Sequence, residues 1–234
     1  MSPSGHPKGE FQSAQHGGFL MSLPIIVIGS GGHAAVVADA LLAAGERVLG
    51  FTDTDARRHG MLLCGLPVLG DDSVLATFAS GDVQLANGIG GTRAEALRGA
   101  VQGALEARGW QFATVRHPTA VVSPFARVSP GAQLLARSVV QPGAEVGAGC
   151  IVNTGAVIEH DVRLGEFVHV ACGAVLCGHV QVGAHSHIGA AAVVKQGVTL
   201  GARTVVGAGA AVVKNSEGGL TLAGVPAWEM RETR

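Results

Sequence analysis

Tyrosine is missing from this 234-residue chain, and neither sign of charge prevails: 16 Lys and Arg stand against 17 Asp and Glu, a formal charge of −1. Without a basic run, the electrostatic footprint of a nucleic-acid binder is absent, and nucleic acid is not an expected partner. No apolar stretch reaches the ~20 residues of a membrane span, because Gly, His or a charged residue interrupts each candidate; no membrane partner is expected. Residues 1–20 lack the apolar core of a secretory signal and are expected to be a disordered tail or an expression scar, with Met21 the native start. The four cysteines, Cys64, Cys150, Cys172 and Cys177, form no CxxC pair and no framework spacing, which predicts buried, reduced thiols in a cytoplasmic protein.

What the chain has is apolar content of 47% and 36 glycines. That suffices for one large domain or two small ones, and it favours small side chains stacked in a repetitive fold. The repeat is explicit. Stepping by six from Val122 gives sixteen consecutive Val, Ile or Leu residues, ending at Val212, and two residues before each lies a small or β-branched residue such as Ala120, Ser138, Cys150 or Ala156. Neither a helix nor a plain alternating strand has a period of six. A parallel β-helix does, because each short strand sends one large and one small residue inward before the chain turns a corner. Three hexads make a coil of eighteen residues, so residues eighteen apart stack at about the 4.8 Å strand spacing.

Ahead of the repeat, Pro24–Ile28 is a buried strand. It leads through Gly29-Ser30-Gly31-Gly32-His33 into an apolar helix through Leu42 that stops at Gly45. A second strand, Val48–Phe51, ends at Asp53, and a third, Val83–Asn87, leads into Gly88-Ile89-Gly90-Gly91-Thr92-Arg93 and a helix to Arg108. Glycines let the backbone approach a phosphate at a helix N-terminus, and an acidic group at the next strand end can hold a ribose or base. The pattern predicts a nucleotide site in a small α/β, Rossmann-like sheet; tight strand–helix packing alone would also demand such glycines. Hydride transfer is disfavoured, since a β-helix follows where a dehydrogenase needs a catalytic domain. The expected division is 21–117 for the α/β domain and 118–234 for the β-helix with a C-terminal extension.

The glycine loop, the Asp53 strand end, Asn153-Thr154, Ile158-Glu159-His160-Asp161, Gly165 to Val170 and Gly224-Val225-Pro226-Ala227 together resemble the bacterial sugar-nucleotide N-acetyltransferases, related to the sialic acid and bacillosamine acetyltransferases. Among these, the perosamine N-acetyltransferases look most similar. The resemblance implies a left-handed β-helix and a cytoplasmic homotrimer with active sites between subunits. It also implies acetyl-CoA as cosubstrate without a metal, and a nucleotide-linked amino sugar such as GDP-perosamine or a UDP-4-amino sugar, used in O-antigen or other glycan synthesis.

Amide formation from a thioester needs a neutral amine, a base for its proton and donors for the oxyanion. His160, just past the inward Ile158, is the candidate base, because imidazole ordinarily titrates near neutrality. The resemblance gives Asp161 the role of orienting that histidine. Eighteen-residue stacking places Gly178 over His160, with room for the thioester and an N–H for the oxyanion. It also places His179 over Asp161, so Asp161 has two possible imidazole partners. The resemblance assigns His33 to substrate and His169, Ala190 and Gln196 to CoA; Lys195 and Lys214 are candidates for its phosphates. Gly31, Gly32, Asp53, Gly88, Arg93 and Asn153 complete the expected substrate set. His169 and His187 stack eighteen apart, either as a CoA contact or as a solvated, inert ladder. A metal at His179, His185 and His187 is disfavoured, because that spacing points to different faces and no carboxylate completes the set. Two rival functions stand beside N-acetylation: O-acetylation of a sugar or sialic acid, and a non-catalytic trimeric β-helix that only binds.

Overall fold

The computed structural model describes residues 22–90 and 95–230. Arg93 and residues 1–20 lie outside them. The chain opens on β1 (Ile25–Ile28), four consecutive buried apolar residues, the pattern of a parallel strand covered on both faces. Helix α1 (Gly32–Ala43) returns to β2 (Val48–Thr52). A short hairpin follows, β3 (Leu62–Leu63) and β4 (Leu66–Gly70), then β5 (Gln84–Asn87) and α2 (Glu95–Glu106). The sheet order is β3-β4-β2-β1-β5, parallel except for the hairpin. Because β2 and β5 lie on opposite sides of β1, the order reverses at the C-terminal end of β1, where open α/β sheets bind ligands.

The strand expected third, at Val83–Asn87, is therefore the fifth, since the hairpin precedes it. That hairpin turns on Cys64 and Gly65, both with positive φ (51° and 75°), the requirement of a tight two-residue turn. Cysteine in the place usually held by Asn or Gly hides the signal.

From Val115 onward two-residue strands repeat. Up to Val212 each pairs in parallel with the strand eighteen residues away, as Val139 with Val157 and Val157 with Val175; at the last coil the step shortens to sixteen, Val205 pairing with Thr221. From Val122 onward the second residue of the coil strands and the small residue two positions before it fill or pack against a single core, from Ala120 and Leu134 to Val212 and Leu222. Three faces result, and their outward columns differ. One column is apolar: Val121, Val139, Val157, Val175, Val193 and Ala211, with Val121 63% and Val193 42% exposed. The next is polar, with Arg127, Glu145, Arg163, Gln181 and Thr199. The third is buried from Val115 through Gln133, Ile151 and His169 to His187, and becomes half-buried only at Val205 above them. The α/β unit docks on this third face: Val115, Leu135 and Ile151 share one cluster with Val37 and Leu41 of α1 and Ile25 of β1.

Two expectations are corrected here. Of the four free cysteines only Cys150 is buried; Cys64 and Cys172 are exposed and Cys177 is half-buried. The difference is position, since Cys150 is an inward small residue of the repeat while the others sit in turns. Burial raises the Cys150 thiol to about 12, against small opposing effects, so it is inert. The His169–His187 ladder is likewise not solvated, at 8% and 5% exposure, because its face is the covered one.

Candidate active site

His160 and Asp161 occupy a turn between the apolar and polar faces. The His160 ring stands at the surface, and its Nδ1 lies 2.9 Å from Asp161 Oδ2. His179, one coil further on, brings Nε2 to 3.8 Å from the same oxygen, beyond hydrogen-bonding distance. Asp161 thus bonds to His160, with His179 as a nearby second imidazole; the two rings meet edge to face at 5.1 Å. The bond from His160 holds the Asp161 carboxyl below the usual carboxylate range, against some desolvation and helped by the charges of His179, His160 and Arg163. Asp161 and His179 both adopt left-handed backbone (φ 58° and 60°), a conformation uncommon outside glycine. It places both side chains on one corner, one above the other.

Gly178 stacks over the ring. A Cβ built there would fall 2.5 Å from His160 Cε1 and Nε2, so only glycine leaves Nε2 uncovered. The Gly178 N–H donates to no backbone carbonyl among the described residues. The arrangement can perform base-assisted acyl transfer: Asp161 accepts from Nδ1–H, which keeps Nε2 as the lone-pair nitrogen, and an N–H is open beside it.

The corner continues upward from Gly178 through Gln196 to Lys214, each one coil above its predecessor, with Lys195 beside Gln196 on the same coil. Lys214 Nζ lies 5.4 Å from the Trp228 ring centroid, over its face, a contact that sequence reasoning missed and that only the C-terminal hairpin (Thr221–Ala223 with Trp228–Glu229) creates. His169, Asn153 and Ala190 are not brought to this corner. Asn153 and Ala190 lie at the opposite edge of the apolar face, where Asn153 Nδ2 is 3.2 Å from His169 Nε2.

At the reversal point of the front sheet, Ser30, Gly31, Asp53, Gly88 and Gly90 line a cleft of about 350 Å³. Asp53 is fixed rather than free. Its Oδ2 accepts from the Ser30 N–H (3.0 Å) and the Ser30 hydroxyl, and its Oδ1 accepts from the Asp55 N–H (2.9 Å). Burial raises its carboxyl, but these donors and the Arg58 charge outweigh it and leave the group below its ordinary value. Gly31 and Gly32 face open space, whereas a Cβ at Gly88 would come within 2.8 Å of Ala34, Val27 and Ile28, and one at Gly90 would strike His33. Packing alone therefore requires glycine at Gly88 and Gly90.

A further group was not legible in the sequence. Gln133, buried on the covered face, reaches into the α/β unit, donating from Nε2 to the Asn87 carbonyl at 2.6 Å. Its Oε1 must then be an acceptor, so the His33 nitrogen 2.8 Å away is the donor Nε2–H. Burial lowers the His33 imidazole below its ordinary value, the Gln133 bond opposes this and the Arg98 charge adds to it. Burial thus favours the neutral form of His33, and the Gln133 bond its Nε2–H tautomer. No spacing rule pairs residues one hundred positions apart, which is why Gln133 gave no signal.

His185, stacked on Phe167 at 5.5 Å, stands apart from His179, as expected from its different face. Asp161 stands beside His179, 3.8 Å from its Nε2, where the eighteen-residue stacking expects it.

Residues 24–96 match the family described as the PglD N-terminal domain, and residues 136–160 and 179–214 match the hexapeptide repeat of succinyl-transferase. No curated protein matches the chain. Among solved structures, the acetyltransferase domain of PglB from Neisseria gonorrhoeae FA1090 is 33% identical, with a TM-score of 0.84 over 89% of this chain and 100% of that one. The same domain has been solved in complex with acetyl coenzyme A, at 34% identity and a TM-score of 0.83, over 88% of this chain and 98% of that one. PerB from Caulobacter crescentus, solved in complex with CoA and GDP-perosamine, is 35% identical with a TM-score of 0.83, over 89% of this chain and 97% of that one.

Proposed function

The chain belongs to the sugar N-acetyltransferases built on a left-handed hexapeptide β-helix, and from that premise we propose that it transfers acetyl from acetyl-CoA to the amine of a nucleotide-linked amino sugar. PerB, similar over nearly its whole length, binds GDP-perosamine, which supports a GDP-linked 4-amino sugar as the first acceptor to test. The observation that carries the reading is the His160–Asp161 pair beneath Gly178. The neutral amine attacks the thioester carbonyl; Nε2 of His160 takes the amine proton; the oxyanion is met by an N–H at the level of Gly178. Collapse breaks the C–S bond, and the proton passes from His160 to the departing thiolate. Asp161 keeps the ring oriented and stabilises its charged form. No covalent enzyme intermediate is required.

The front cleft would hold the nucleotide, with Gly31 and Gly32 at its phosphates and Asp53 at the ribose or base. Asp53, His33 and Asn153 would then face the acceptor and His169 and Ala190 the cosubstrate. A homotrimer accounts for an otherwise awkward geometry. Lys195, Gln196 and Lys214 rise above His160 on one corner, while His169, Asn153 and Ala190 belong to the other edge of the apolar face. A neighbouring copy seated on the valine column would join the two sets, and closed cyclic symmetry completes the ring. Each valine buried there contributes a part of the full-burial value of about 1.5–3 kcal/mol, since most of the column is already half-buried.

The test is acetyl transfer measured with GDP-, UDP- and dTDP-linked amino sugars beside their hydroxyl analogues. Turnover of an amine and not of its hydroxyl counterpart, lost in His160→Ala, is expected. No turnover with any amino sugar, or an undiminished rate in His160→Ala, overturns the reading.

A further inference from the structure

Three side chains at the catalytic corner bring together more donor atoms than acyl transfer needs. One ligand atom each from His160, Asp161 and His179 lies within 4.8 Å of the others. Asp161 Oδ2 is 2.9 Å from His160 Nδ1 and 3.8 Å from His179 Nε2. A tetrahedral zinc ion with bonds of 2.0–2.2 Å sets its donors about 3.4 Å apart, a spacing between those two distances. All three side chains are about half exposed, which leaves them within reach of an ion from solvent. The backbone keeps them in register, since Asp161 and His179 take the same left-handed turn position one coil apart.

We propose that His160, Asp161 and His179 form a binding site for a divalent transition metal of zinc's class, and that occupancy inhibits acetyl transfer. Two imidazoles and one carboxylate select Zn²⁺, Co²⁺ or Ni²⁺ over Mg²⁺ and Ca²⁺, which take oxygen ligands. The inhibition follows from the tautomer. In the metal-free enzyme Nδ1 carries the proton that Asp161 accepts, leaving the Nε2 lone pair to receive the proton of the amine. A metal ion at Nδ1 takes the lone pair there. The Nδ1 proton leaves to solvent, Nε2 acquires one, and the ring stays neutral with its basic nitrogen blocked. No bond to carbon changes and no electron is transferred. The same ion occupies the Asp161 oxygen that orients the ring. His179 is the distinguishing ligand, because the proposed acyl transfer gives it no part.

The inhibition rests on the proposed role of His160, whereas metal binding does not, so the two are measured separately. The full-length chain, free of CoA, is titrated with Co²⁺ and followed by its visible absorption, then displaced with Zn²⁺; His179→Gln, Asp161→Asn and Cys177→Ser are run alongside. One Co²⁺ per chain with a tetrahedral spectrum is expected, unaltered in Cys177→Ser. Loss of even an outer-shell partner costs about 10–100-fold in metal affinity, so the two ligand variants should bind at least about tenfold more weakly. Acetylated product is then quantified by chromatography with and without Zn²⁺, each variant against its own metal-free rate, and His179→Gln should need at least about tenfold more Zn²⁺ for half inhibition. Cobalt binding undiminished in His179→Gln, or a thiolate band abolished in Cys177→Ser, overturns the site. Binding as expected with acetyl transfer unaffected by Zn²⁺ overturns the inhibition. A chain inactive towards every acceptor would sink the proposed function and leave the cobalt result to stand or fall alone.

Discussion

Replacing Gly178 with Ala separates a catalytic demand from a structural one. The new Cβ would lie 2.5 Å from Cε1 and Nε2 of His160, while carbon atoms pack at about 3.5–4.0 Å, so the ring must retreat by roughly 1 Å or more. It has somewhere to go, because the His160 side chain is 49% exposed. Gly178 is not among the residues with positive φ, so alanine meets no backbone strain. Gly178 is itself buried, but the atoms its new Cβ meets belong to the free end of the His160 side chain, so the fold should lose about 1 kcal/mol, the centre of the range for single substitutions, and Tm should move by no more than about 4 °C for a chain of this size. The chemistry should suffer far more. A displacement near 1 Å costs about 10²-fold in rate, or about 2.7 kcal/mol of transition-state stabilisation, and swinging the ring also lengthens its bond to Asp161. The assay is kcat for acetyl transfer with a cognate amino sugar, alongside thermal unfolding. A kcat within about twofold of wild type at unchanged Tm would refute the stacking of Gly178 on the working base, and a large fall in Tm would show that the glycine serves the coil instead.

Three further outcomes follow from the same geometry. Gln133→Leu leaves the Asn87 carbonyl and His33 Nε2 without their partner, each costing about 1–3 kcal/mol; a fall in denaturant midpoint and a raised KM for the acceptor, with kcat less affected, are expected. In Asp53→Asn the pH dependence of stability should flatten at the acid end. The Asp53 pKa is lowered in the folded state, so its contribution is complete above the unfolded value of about 3.9 and is lost as pH falls through the lower folded value. The difference between wild-type and variant unfolding curves below about pH 5 reads it. Val157→Asp with Val175→Asp places charge in the middle of the apolar column; light scattering should report a monomer, and transfer activity should fall with it.

The β-helix was legible because a period of six leaves no alternative, and the stacking of Gly178 on His160 came from adding three hexads. Near neighbours in the coil were thus accessible from arithmetic. Contacts between units were not. The hexad pattern fixes which residues point inward but says nothing about which outward column is covered, so a solvated ladder stood open for His169 and His187 beside a CoA contact, and Gln133 gave no signal. The choice between His160 and His179 as the partner of Asp161 also needed coordinates, since it turns on distances of 2.9 and 3.8 Å within a single corner. In the front sheet the glycines were visible, but their reasons were mixed: Gly31 and Gly32 leave space, while Gly88 and Gly90 are required by Ala34 and His33.

The coil also acts as a ruler. His160 and Lys214 stand on the same corner, three coils apart, and each coil advances by one strand spacing, so the two levels are separated by about 14 Å. A molecule engaging the imidazole at one end and the ammonium at the other must span that length. Deleting one complete coil between them would keep every inward residue inward and shorten the span by about 4.8 Å. Deleting six residues would instead rotate all later faces by one position. Lys195, Gln196 and Lys214 would then face a different side of the prism, although each side chain would still lie on a well-formed corner.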